Sequence, residues 1–166
     1  MSDVRINKVN LLSNTPKIRI RPASEILAEA MAVRTDISAS IEPFEPRTEA
    51  KSWGHEVLVA HTPQYTGKVL YRYAAEPWHR GGLQWHRTKD ETFYLHEGEV
   101  IVYWVDADGL LRKRAMHPGQ SFHVPPGAIH SVQTVTDSTM FEASTAVFDD
   151  RVNVEADYDI MKAVES

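Results

Sequence analysis

Leu83-Gln84-Trp85-His86-Arg87-Thr88-Lys89-Asp90-Glu91 is the stretch that decides the fold. In an extended strand, residues two apart project from the same face, with their Cα atoms about 7 Å apart. Gln84 and His86 therefore aim at a common point. The turn Thr88-Lys89-Asp90 lets Glu91 face back toward them, and His130 follows the stiff approach Pro125-Pro126-Gly127 far downstream. Brought together by strand pairing, Gln84, His86, Glu91 and His130 offer two imidazoles, a carboxylate and an amide oxygen. That donor set suits zinc, nickel, manganese or iron(II). The expectation is one divalent metal ion, zinc first, with manganese, nickel or iron as alternatives. Gln84 has a second reading, because an amide is a weak ligand and also serves to face a substrate.

Outward from this stretch the chain alternates short strands with turn residues. Candidate strands are His55–His61, Lys68–Ala74, Leu83–His86, Glu91–Leu95, Glu99–Val105, Leu111–Ala115, Ser121–Val124, Ser131–Thr136 and Thr139–Val147. They are separated by Gly81-Gly82, Glu97-Gly98, Asp106-Ala107-Asp108-Gly109, Pro118-Gly119, Pro125-Pro126-Gly127 and Thr136-Asp137-Ser138. Many short strands with turn chemistry between them indicate an all-β barrel or sandwich. No helix-period segment intervenes, which argues against a parallel α/β sheet. Before this region, residues 1–20 read as an arm and Ile41–Arg47 as a linker or edge segment. Pro22 to about Arg34 reads as a short helix, with Pro22 at its start and Ala supplying propensity. The acidic tail from Asp149 could end in a short helix around Tyr158–Val164. The expected domains are 1–50 for arm and helix, 51–158 for the barrel and 159–166 for the tail.

Composition narrows the function classes. The chain of 166 residues is long enough to enclose a substantial core. It has no cysteine, which excludes disulfides and thiolate zinc sites. A net charge of −5 gives no electrostatic case for nucleic acid or an anionic membrane surface. No apolar run approaches the roughly 20 residues of a membrane span, and Met1–Arg5 carries no apolar leader segment. The cytoplasm is the expected compartment. Five of the eight histidines, His86, His96, His117, His123 and His130, fall in one 45-residue stretch around the proposed ligands.

These motifs resemble the cupin family, a double-stranded β-helix or jelly-roll barrel. Arg80 to Glu91, with six further residues to Gly98, resembles the first cupin signature, with Gln84 where its first His stands. Gly119, Pro125, Gly127 and His130 match the second, with Thr134 in place of its Asn. The Gln-His-Glu-His set is similar to the phosphomannose isomerase-like branch, which binds zinc through those residue types. Lys51-Ser52-Trp53-Gly54-His55-Glu56 and Leu83-Gln84-Trp85-His86 also resemble segments of that branch, and Asp149–Tyr158 is partly similar to its ending. The resemblance spans roughly residues 51–158. It implies a single cupin barrel that uses its metal to isomerise a sugar or sugar phosphate. The alternatives it leaves open are a non-haem metal dioxygenase and a non-catalytic sugar-binding cupin.

Glu142 interrupts the apolar run Met140–Ser144. Pointing inward, it would be a buried carboxylate with a raised pKa, suited to moving a proton; pointing outward, it is an ordinary surface acid. Trp85, Tyr73, Trp104 and His123 are candidates for lining a carbohydrate site, with core packing the alternative for the aromatics. Arg72, Arg87 and Lys89 read as surface charges, and no phosphate-binding cluster of Arg or Lys stands out. The expected partners are a small-molecule substrate, a carbohydrate, and a second copy of the chain in a homodimer formed through sheet edges.

Overall fold

The structure is a computed structural model, and it describes residues 22–33, 43–76, 79–154 and 162–166. The chain divides into two compact units, Met1–Glu42 and Pro43–Ser166. In the first, helix α1 spans Ala23–Val33, one residue inside the Pro22 start signal at one end and Arg34 at the other. Among the described residues, the second is built from β-strands. Its strands are β1 (Arg47–Lys51), β2 (Gly54–His61), β3 (Tyr65–Arg72), β4 (Gln84–His86), β5 (Glu91–Val105), β6 (Leu111–Met116), β7 (Ser121–Val124), β8 (His130–Thr145), β9 (Arg151–Asn153) and β10 (Val164–Glu165).

Two long strands organise the barrel. β5 and β8 run antiparallel from Glu91↔Ser144 to Trp104↔His130, with register shifts between Leu95 and Val100. The N-terminal half of β5 pairs with β7, and the C-terminal half of β8 pairs with β3, which continues to β2 and β1. The other halves pair with β6 and with β4, which extend to β10 and β9. The bent β5–β8 pair thus joins the ten strands into one sheet. All pairings are antiparallel except β10 with β6.

The bend has a local cause. Gly98 adopts φ 88°, and a Cβ there would lie 2.4 Å from the Asp137 carbonyl oxygen. Only glycine tolerates both that conformation and that approach. The two breaks expected at Glu97-Gly98 and Thr136-Asp137-Ser138 are therefore corners within continuous strands. The core of the barrel consists of Leu70, Phe93, Leu95, Val100, Val102, Met116, Val124 and Met140. Alternate residues supply this core, and β5 changes parity from Phe93 and Leu95 to Val100 and Val102 across its register shifts. A second cluster, Leu83, Tyr103 and Leu111, packs with Val154 and Ala163.

Three strands were not expected from the sequence. β1 lies in polar Arg-Thr-Glu-Ala-Lys, mostly exposed, and is held by five register pairs with β2. β9 and β10 are three and two residues long. β10 places Val164–Glu165 beside β6, while most of the helix expected at 158–164 lies outside the described residues. No helix among the described residues is long and apolar enough to cross a membrane.

Candidate metal centre

His86 ends β4, Glu91 begins β5 and His130 begins β8. Each of the three supplies one donor atom, and these atoms all lie within 4.8 Å of one another. All three residues are buried. Glu91 Oε2 sits 3.5 Å from His86 Nε2 and 3.6 Å from His130 Nε2. It is the only enclosed side-chain polar atom among the described residues without a hydrogen-bond partner.

The outer nitrogens of the rings explain this orphan. His130 Nδ1 lies 3.0 Å from the Ala128 carbonyl oxygen, which can only accept, so Nδ1 carries the proton. His86 Nδ1 lies 2.9 Å from Asp150 Oδ1 and donates in the same way. Burial pulls the His130 pKa down, against the opposing influence of the Ala128 carbonyl and Glu91, which favours the neutral ring. So tethered, each ring turns Nε2, the acceptor of its Nδ1–H tautomer, toward the same carboxylate oxygen. Three acceptors facing one another have nothing to share but a cation. The donor set therefore fits a divalent metal, in the arrangement where an outer hydrogen bond orients each ligating imidazole.

Gln84 reaches the same place. It is two residues from His86 on β4, stands directly opposite His130 in the β4–β8 register, and lines the cavity those residues share. The cavity has a volume of about 610 Å³. Its inner wall carries Glu142, which points into the barrel opposite Lys68 on β3 and Phe93 on β5.

Lys89 changes the reading of this wall. It is buried, and its Nζ lies 2.5 Å from Glu91 Oε1 and 2.9 Å from Glu142 Oε1. Glu142 Oε1 also accepts from Ser144 Oγ at 2.9 Å, and Ser144 Oγ is 2.7 Å from Thr66 Oγ1. Burial alone would raise the Glu142 pKa, but Lys89, Lys68 and the Ser144 hydroxyl outweigh it and hold the carboxyl below its usual range. The raised pKa expected from the sequence is thus reversed. Burial also works against the Lys89 charge, but the two carboxylates prevail and keep its pKa above the ordinary value.

Asp150 is the residue the sequence did not announce. Its Oδ2 accepts from the Thr88 and Lys89 amides at 2.7 and 2.9 Å and from the Thr88 hydroxyl at 3.1 Å, while Oδ1 holds His86. One carboxylate thus pins both the ligand and the turn that aims Glu91. Burial pushes its pKa up, but these donors prevail and lower it strongly. Sixty-odd residues separate Asp150 from this turn, so no local pattern could reveal it.

The other sequence candidates scatter. Trp104 and His123 line a second cavity of about 300 Å³, which also touches His130, and His123 Nε2 pairs with Asp90 at 2.9 Å. Trp85 has the opposite strand parity from Gln84 and His86, and Arg87 stacks on its ring at 5.6 Å. Tyr73 is exposed, with its hydroxyl 3.2 Å from His55 Nδ1. Neither Trp85 nor Tyr73 lines the main cavity. Two residues taken from sequence as surface charges do: Lys89 and Arg72 are both buried against it. For Lys89 the signal was available, since it shares parity with Glu91.

Residues 72–143 match the family described as Cupin domain. The barrel has the cupin fold. Solved structures of similar fold include KdgF from Halomonas sp., with 20% identity, 64% of this chain and 91% of that chain covered, and a TM-score of 0.53. The capsular polysaccharide assembling protein CapF from Staphylococcus aureus aligns at 17% identity over 68% of this chain and 33% of its own, with a TM-score of 0.56. An RmlC-like cupin from Shewanella frigidimarina aligns at 18% identity over 63% and 87%, with a TM-score of 0.52. At these identities the likeness concerns the fold alone. Among curated proteins, an oxalate decarboxylase of Arthroderma benhamiae is 26% identical over 131 residues. That alignment takes in 76% of this chain but only 28% of the decarboxylase. The family match and the fold support placement in the cupin superfamily, with His86, Glu91 and His130 as a group able to bind a metal ion.

Proposed function

We propose that this cupin is a mononuclear metal enzyme that moves a proton on a small, oxygen-rich substrate of the sugar type. The observation that carries this is the orphaned Glu91 Oε2 between two imidazole lone pairs. His86, Glu91 and His130 would hold the metal, zinc first among the candidates, with the Gln84 amide oxygen as a fourth donor. A divalent ion there supplies Lewis acidity, polarising a carbonyl or hydroxyl bound beside it.

The chain's own residues supply the rest. Glu142 is anionic at neutral pH and faces the cavity, so it is equipped to accept a proton from a substrate carbon next to a carbonyl and to return it to the neighbouring carbon. Lys89 positions it: the ammonium bridges Glu142 and the outer oxygen of Glu91, fixing the base relative to the ligand. Asp150 keeps the His86 Nε2 lone pair turned inward. The test is incubation of metal-loaded protein with a panel of sugars and sugar phosphates in D₂O. Exchange at the carbon beside the carbonyl, lost in Glu142→Gln, is the expected result; no exchange across the panel contradicts the proposal.

A second reading is favoured by the similarity to an oxalate decarboxylase: oxygen-dependent or decarboxylating chemistry on a small carboxylic acid at the same centre. Oxygen uptake or carbon dioxide release by iron(II)- or manganese-loaded protein would select it.

A further inference from the structure

Among the described residues, Arg72 is a buried cation with no anion paired to it. It ends β3 with only 7% of its surface exposed, on the inward parity shared with Lys68 and Leu70. Its Nε donates to Thr134 Oγ1 at 3.1 Å, and its Nη2 donates to the carbonyl oxygens of Val132 at 3.0 Å and His79 at 3.4 Å. Its guanidinium lies over the Trp53 ring, 4.6 Å from the centroid. All of these partners are neutral. The contrast with its neighbours is sharp, since Lys89 has Glu91 and Glu142, and Lys68 has Glu56 at 2.9 Å.

An uncompensated buried charge is costly to the fold, and proteins rarely hold one without a use. Arg72 remains charged at neutral pH, although burial lowers its pKa to about 10. Its Nη1 donates no hydrogen bond among the described residues, yet it is not among their enclosed orphaned atoms. That amino group therefore keeps some exposure, on a residue that lines the cavity. The Val132 carbonyl that anchors Nη2 is two residues along β8 from His130, about 7 Å by strand geometry. That span matches a few bonds of a small molecule.

We propose that Arg72, clamped by Trp53, Thr134 and the Val132 carbonyl, is the receptor for an anionic group, a carboxylate or phosphate, on the substrate. The inference rests on the reading of the cavity as the substrate site and supplies the charge of that substrate. A guanidinium held in one plane by stacking and three hydrogen bonds is preorganised to meet an oxyanion along its free edge. The sequence suggested no phosphate-binding cluster because Arg72 looked like one surface charge among several; its inward parity is set by pairing with β8.

The experiment compares three ligands of one carbon skeleton by calorimetric titration: D-gluconate, D-glucitol 6-phosphate and neutral D-glucitol. Wild-type protein is expected to bind at least one anion about tenfold to a hundredfold more tightly than glucitol, as hydrogen bonds to a charged group imply. Which anion wins identifies the source of the charge. Arg72→Met should abolish the preference while retaining the metal content of the wild type, and Arg72→Lys should keep part of it. Anion and glucitol binding equally well to the wild type, or no anion binding at all, overturns the proposal without recourse to any variant. So does a preference that survives in folded Arg72→Met. An anion preference in wild-type protein that takes up no metal would leave Arg72 in this role and remove the metal reading instead.

Discussion

Asp150 and His86 are joined by a 2.9 Å hydrogen bond from the ring Nδ1 to carboxylate Oδ1, while the same carboxylate caps the Thr88–Lys89 turn through Oδ2. This relationship sets the tautomer of one proposed ligand and the aim of another. Replacing Asp150 with Asn should weaken metal binding by about 10- to 100-fold, the usual effect of losing a ligand's outer partner. Competition against a metal-sensitive chelating dye would measure it. An unchanged affinity would show that His86 is oriented by packing alone.

The Lys89 bridge makes a second prediction about stability. Lys89→Met leaves Glu91 and Glu142 enclosed without their cation, and should cost about 3–5 kcal/mol in the metal-free protein. Combining it with Glu142→Gln should recover part of the loss, because one stranded charge is removed. A double-mutant cycle from urea unfolding reads the coupling, expected at about 1–3 kcal/mol. Simple additivity would mean that the 2.5 and 2.9 Å contacts carry no shared energy.

Acid should unfold the metal-free protein partly through Glu142. Its folded pKa lies below the ordinary 4.5, so its ionisation contributes stability that is fully present above 4.5. As pH falls through the folded value, the carboxylate is protonated and that contribution disappears. Urea midpoints measured from pH 6 downward should therefore fall less steeply below about pH 4.5 in Glu142→Gln than in wild type. Parallel slopes would contradict the direction of the shift.

The corner at Gly98 yields a prediction about the frame. Gly98→Ala must hold φ near 88° with its Cβ against the Asp137 carbonyl. It should lower stability by about 1–3 kcal/mol or force the corner to move. Thermal melting checks this, and an unaffected melting temperature would show that the β5–β8 corner yields freely.

Much of this was legible in the sequence because it is local. Period-two alternation and turn residues marked the strands near their observed positions, and the spacing of Gln84, His86, Glu91 and His130 pointed to the side chains that face one cavity. Two corners within β5 and β8 read as strand ends, because Gly98 and Asp137 carry the same signals in a bend as in a turn. β1, β9 and β10 escaped notice because short polar edge strands bury little and show no apolar alternation. Asp150, Arg72 and the partnership of Lys89 with Glu142 depend on contacts between residues 53 to 64 positions apart. No window along the chain contains both members of such a pair. The Glu142 pKa reversed for the same reason: burial was foreseeable, but the ammonium beside it was not.

Calorimetric titration of the metal-stripped chain with zinc at neutral pH tests the metal centre most directly. One saturable site per chain in the wild type, lost in Glu91→Gln, is the predicted result. Absence of saturable binding, or equal binding by the folded Glu91→Gln variant, would contradict it.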